Sequence, residues 1–133
     1  MKRILILLTL LLGNYAHACS CSIPNIEESF NNADFVYIGL IQSAKLTDEA
    51  EITNYVSIVK EFKGVRDTDI LLSHNSESSC AAPAAVGYKY LIFGKFGETP
   101  ILESCSPNQT FFEGRYDLLD ELNELSGNNK HGS

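Results

Sequence analysis

A small closed β-barrel flanked by two helices is the fold class this sequence predicts. Two observations predict it: five short runs rich in β-branched and aromatic residues between polar turns, and one amphipathic segment near the C-terminus. Five strands of this length would leave open edges in a flat sheet, and closing them into a barrel of the OB type removes those edges. A β-sandwich is the competing architecture.

The elements follow in chain order. Met1-Lys2-Arg3 is basic, Ile4 to Leu12 is an apolar stretch, and Ala16 and Ala18 stand three and one positions before a cut after Ala18. This is the pattern of a secretory signal peptide over residues 1–18, and its apolar run is shorter than the roughly 20 residues a spanning helix needs. A retained membrane anchor is the alternative. Cleavage leaves Cys19 as the first residue. Acylation of Cys19 is a second alternative, but Ala16 and His17 fit a lipoprotein processing site poorly, and the cysteine count of four is even.

Residues 19–127 form one domain, followed by a polar tail, 128–133, assigned to disorder. Without Lys2 and Arg3 the chain carries 8 basic and 17 acidic side chains, a net charge of −9. That balance argues against nucleic acid as a partner. Scattered acidic residues of this kind describe a solvated surface.

Pro24 to Phe30 predicts a short helix, with Glu27 and Glu28 in the first turn and Ile26 and Phe30 four apart on one face. Residues 34–41 and 52–59 predict a hairpin around a polar turn at Asp48. Asp69 to Ser73 predicts a third strand, and residues 88–94 and 100–105 two more around a turn at Gly97. Tyr116 to Leu125 predicts a helix that presents Leu118, Leu119, Leu122 and Leu125 to a sheet.

A Cys19–Cys21 bond would close a ring around one residue and be strained, so the two must reach Cys80 and Cys105 separately, in either order. Each bridge closes a long loop and would stabilise the fold by about 4 kcal/mol in the chain-entropy account. A four-cysteine zinc site is disfavoured by the one-residue spacer and by the isolation of Cys80 and Cys105. After cleavage only His74 and His131 remain as histidines, with no nucleophile motif beside either, so an enzyme reading lacks its usual base. Asn108-Gln109-Thr110 matches a glycosylation sequon. Tyr88, Tyr90 and Phe93 are assigned to barrel packing in preference to a base-stacking platform.

The mature start Cys19-Ser20-Cys21-Ser22, the stretch Ser29 to Asp34, the segment Ser78-Ser79-Cys80, and Val86 to Lys95 followed by Cys105 ten residues on together resemble the tissue inhibitors of metalloproteinases and the wider netrin-like domains. The likeness spans nearly the whole mature chain. The chain departs from the family pattern at Asn31, where a cysteine of a third disulfide would stand, and in a short first hairpin loop.

The resemblance implies the pairing Cys19–Cys80 and Cys21–Cys105. It also implies a secreted inhibitor, extracellular or periplasmic and monomeric, with no cofactor of its own and no membrane association after cleavage. Its partner would be a zinc metalloprotease, whose catalytic zinc the α-amine and carbonyl of Cys19 would chelate. Ser20 would enter the adjacent specificity pocket, and Cys21, Ser22, Ser78 and Ser79 would line the contact. A free α-amine next to its carbonyl is a two-point donor with a pKa of about 7.7–8.0, and a catalytic zinc keeps one position open. The competing reading is a non-inhibitory extracellular binding module.

Overall fold

The computed structural model describes residues 21–22, 24–75 and 80–131, with side chains as far as residue 128. The expected leader, Cys19, Ser20, Ser78 and Ser79 lie outside the described residues. The expected short helix is present as α1 (Ile26–Asn32), two residues later than read from Pro24: Asn25 caps it by accepting the Glu28 backbone N–H on Oδ1 at 2.7 Å, and Phe30 is buried. The predicted hairpin is present and longer than its sequence signal, as β1 (Phe35–Leu46) and β2 (Glu51–Lys63). Register shifts between Val36 and Tyr37, Ile38 and Gly39, and Ile41 and Ser43 bend the pair.

Four more strands follow: β3 (Ile70–His74), β4 (Lys89–Gly94), β5 (Ile101–Leu102) and β6 (Gln109–Phe111). They join one six-stranded sheet in the order β5-β3-β2-β1-β4-β6. The expected five-stranded closed barrel is therefore corrected in two respects. The sheet has a sixth strand beyond residue 105, and it curls into a half-barrel with no backbone ladder between its two end strands. Nor do β4 and β5 pair around Gly97. Instead β4 lies between β1 and β6, while β5 crosses to the far edge and runs parallel to β3, Leu72 opposite Ile101 and Ser73 opposite Leu102.

How far the sheet curls can be read from one side chain. In a flat sheet β4 and β5 would stand four strand spacings apart, about 19 Å. Yet Asn108 Oδ1 accepts the Phe93 N–H of β4 at 2.7 Å while its Nδ2 donates to the Ile101 carbonyl of β5 at 2.8 Å. One asparagine, at the entry to edge strand β6, spans from β4 to the opposite edge strand β5. Asn108 closes the seam as a clasp where a closed barrel would have a ladder.

Alternation along β1 and β4 feeds two cores. Val36, Ile38, Leu91 and Phe93 join Phe30 of α1 and Leu118 and Leu122 of helix α2 (Tyr116–His131) on one face. Phe35, Tyr37, Tyr90 and Ile92 join Ile41, Val56, Leu71 and Leu102 on the other. Central strands apolar on both faces explain why the first half of β1 reads as a continuous hydrophobic run. Each fully buried side chain of this size contributes about 1.5–3 kcal/mol.

The leucine stripe packs as expected, with Leu119 and Leu125 partly buried against the same cluster, and α2 runs on to His131. Lys60 Nζ of β2 donates to Asn123 Oδ1 at 2.9 Å, fixing the middle of α2 against the sheet. No helix among the described residues is long and apolar enough to cross a membrane.

Two positions in this frame give direct tests. Gly64 ends β2 at φ 59°, and a Cβ there would run into the Asp34 carbonyl. Backbone is what it would meet, so no rotamer relieves the clash. Gly64→Ala is expected to destabilise the fold by about 2–3 kcal/mol in urea unfolding.

Tyr37 is 1% exposed, its hydroxyl has no hydrogen-bond partner among the described residues, and the Arg66 guanidinium lies 5.4 Å from its ring centroid. Burial pushes the phenol up to about 12; the Arg66 charge opposes that rise and the Asp69 charge adds to it. The unfolded phenol ionises near 10 while the folded one stays neutral, so stability is fully present below pH 10 and falls as pH rises from there toward 12. Tyr37→Phe should flatten this alkaline loss without lowering stability at pH 7, because the hydroxyl it removes is unpaired. Urea titrations of both proteins at pH 7 and pH 11 check it.

Candidate functional site

The sheet register places the C-terminal ends of β1, β3 and β5 and the starts of β2 and β4 at one end of the half-barrel. The described cysteines gather at this end. Cys21 is bonded to Cys105 with the Cα atoms 5.5 Å apart and 84 residues between them in sequence, as the resemblance implied. Cys80 is also disulfide-bonded; its expected partner, Cys19, lies outside the described residues. Two backbone contacts join the strands that carry these cysteines. The Ser104 N–H donates to the Cys80 carbonyl at 3.1 Å, and Ala81 forms an isolated antiparallel bridge with Glu103.

Three chain segments thus converge: the N-terminal arm at Cys21-Ser22, the turn at Cys80-Ala81, and the stretch Glu103 to Cys105 that leaves β5. Cys21, Ser22, Cys80 and Ser104 are exposed, while Ala82 and Ala84 pack inward on the second core. Stitching continues along the same loop. The Ala85 N–H donates to the Tyr90 hydroxyl at 2.9 Å, and the Gly87 N–H to the Ile41 carbonyl at 2.9 Å. The exposed arm therefore rests on a floor with little freedom to move.

Of the contact residues expected from sequence, Cys21 and Ser22 fall within the described residues and share this end; Cys19, Ser20, Ser78 and Ser79 do not fall within them. Tyr88 and Phe112 stand where the β4–β6 ladder ends, 55% and 60% exposed, with Val86 at 54%. The expected packing role thus holds for Tyr90 and Phe93, which are buried, and fails for Tyr88. The failure has a local cause: Tyr88 precedes the first ladder residue of β4 and has no covering element. The Lys89 ammonium 2.7 Å from Glu113 holds that carboxyl below the usual carboxylate range.

Asn108 was not foreseen. The sequence marks it only as part of a sequon; in the fold it is 6% exposed, with a cleft on either side along the seam. One, about 270 Å³, lies between Phe93-Gly94 and Pro100-Ile101. The other, about 280 Å³, lies between Leu102 to Ser104 and Gln109-Thr110. Nothing in the residues around Asn108 carries this signal, because its two partners sit on strands that do not pair with each other.

Among the described residues no group of three or more His, Cys, Asp or Glu side chains is placed to hold a metal ion. His74 ends β3 half-buried opposite Glu51. What this end offers chemically is an exposed segment, Cys21-Ser22, cross-linked to Cys105, with the exposed aromatic rings of Tyr88 and Phe112 on the same sheet. No protein-family model and no curated protein matches the chain.

Proposed function

We propose that the mature chain is a secreted inhibitor of zinc metalloproteases, similar to the tissue inhibitors of metalloproteinases, acting through its N-terminal residue. In this reading cleavage after Ala18 exposes the α-amine of Cys19. The amine nitrogen and the Cys19 carbonyl oxygen displace the water at the open position of the protease's zinc and close a five-membered chelate ring. Ser20 then enters the pocket beyond. The single observation that carries the proposal is the Cys21–Cys105 bond at an exposed end that the Ser104–Cys80 hydrogen bond also ties down. An arm ordered before binding loses less conformational freedom on docking, which favours tight inhibition.

The test begins with intact-mass and N-terminal analysis of secreted protein, followed by inhibition assays on a panel of zinc proteases. Carbamylation of the amine is expected to remove inhibition, since a carbamylated nitrogen no longer donates its lone pair. Ser20→Gly should weaken inhibition less, because it changes pocket contacts and leaves the chelate. Inhibition should also decline as pH falls below about 7.7, where protons compete with zinc for the amine.

One observation favours a second reading. The exposed Val86, Tyr88 and Phe112 suit a protein-binding module with no inhibitory arm. A mature protein that inhibits no zinc protease would move the assignment there.

A further inference from the structure

Asn108-Gln109-Thr110 is the one N-x-S/T sequon in the chain, and its asparagine is the clasp of the barrel. We propose that Asn108 is a modification site gated by folding: its amide nitrogen accepts an N-linked oligosaccharide only while the seam is open, and a chain glycosylated there does not close.

Transfer from a lipid-pyrophosphate-linked oligosaccharide forms a bond between the sugar C1 and Asn108 Nδ2. It breaks the C1–O bond to the pyrophosphate and releases one amide proton. The nitrogen that must attack is the one that donates to the Ile101 carbonyl at 2.8 Å in the folded chain. The amide oxygen is held as well, by the Phe93 N–H at 2.7 Å, and the Asn108 backbone N–H donates to Ser106 Oγ at 3.2 Å. At 6% exposure, with both amide atoms engaged, the side chain is held in the seam rather than presented to an enzyme.

Steric exclusion holds in the reverse direction too. A glycosylated amide keeps one N–H, so hydrogen bonding alone would not forbid closure. The first sugar ring is what opposes it, because Asn108 is 6% exposed and the ring would have to be accommodated within the seam beside Nδ2. Sequence order makes the two outcomes compete from the start. Phe93 and Ile101 lie 15 and 7 residues upstream of Asn108, so both partners are already synthesised when the sequon emerges. The Cys21–Cys105 bond offers a handle on the race, since Cys105 is three residues from the clasp and its bond fixes the stretch between them.

The experiment is expression of the full chain in a eukaryotic secretory host, with and without dithiothreitol during synthesis. Occupancy of Asn108 is read by intact mass and by endoglycosidase shift in secreted and retained fractions. The secreted, protease-resistant protein is expected to carry no glycan. The glycosylated form should be confined to the retained, protease-sensitive fraction, and reductant should raise its share several-fold.

Thr110→Ala removes the sequon and leaves the clasp. It should secrete at least as well as the wild type with an unchanged unfolding midpoint, which separates the glycan's effect from damage to the fold. Secreted, protease-resistant protein bearing a glycan at Asn108 would overturn the proposal. So would zero occupancy in the presence of reductant, since folding would then not be the gate.

Discussion

Placing one alanine ahead of Cys19 is expected to lower affinity for a zinc protease at least about a thousandfold, the equivalent of about 4 kcal/mol. The extension moves the amine one residue from the carbonyl it must chelate with, and turns the Cys19 nitrogen into an amide that no longer donates to zinc. Nothing else is disturbed: the Cys21–Cys105 bond and the Ser104–Cys80 hydrogen bond both lie inside the fold. The unfolding midpoint and disulfide map should match those of the unextended protein. Inhibition constants for the two forms, measured on the same protease, decide the matter. Equal constants would refute chelation while leaving a role for the arm as a wedge.

Asn108→Leu is expected to be the most damaging conservative-volume substitution in the seam. It removes two hydrogen bonds at once and leaves the buried Phe93 N–H and the part-buried Ile101 carbonyl without these partners. At about 1–3 kcal/mol for each orphaned group, the loss should total about 2–5 kcal/mol in urea unfolding. Asn108→Asp makes a sharper comparison. Its carboxylate keeps the acceptor for Phe93 but turns a negative charge on the Ile101 carbonyl, so the variant should recover stability relative to wild type on acidification, when a protonated acid can donate. A loss under 1 kcal/mol for Asn108→Leu would mean that the seam is held by the cores and the clasp is incidental.

These two sites differ in how well the sequence announced them. The hairpin, α1 and the leucine face of α2 were legible because each depends on periodicity within a dozen residues, and Phe30, Leu118 and Leu122 are buried as their spacing requires. Strand β6 was not legible, since Gln109-Thr110-Phe111 has one apolar residue and pairs with β4 only because the chain returns from the far edge. The parallel β3–β5 pair was missed for the same reason: Gly97 supports a turn at φ 78° as foreseen, but a turn does not dictate which strand the next segment joins. For the site, residue geometry left two cysteine pairings open, and the choice of Cys21–Cys105 came from the family likeness. Asn108 is legible only as part of a sequon, and a three-residue motif carries nothing about partners on two strands that do not pair.

Helix α2 gives the molecule a direction. It leaves the sheet just beyond β6, on the Cys105 side, and by Asn123 has reached Lys60 in the further half of β2. A label, tether or solid support attached beyond its last turn would stand off from Cys21 by much of the helix length, about 24 Å for 16 residues. Immobilised in that orientation, the protein would present its amino-terminal arm outward, so binding to captured material could be recorded with the far end anchored and the arm unobstructed.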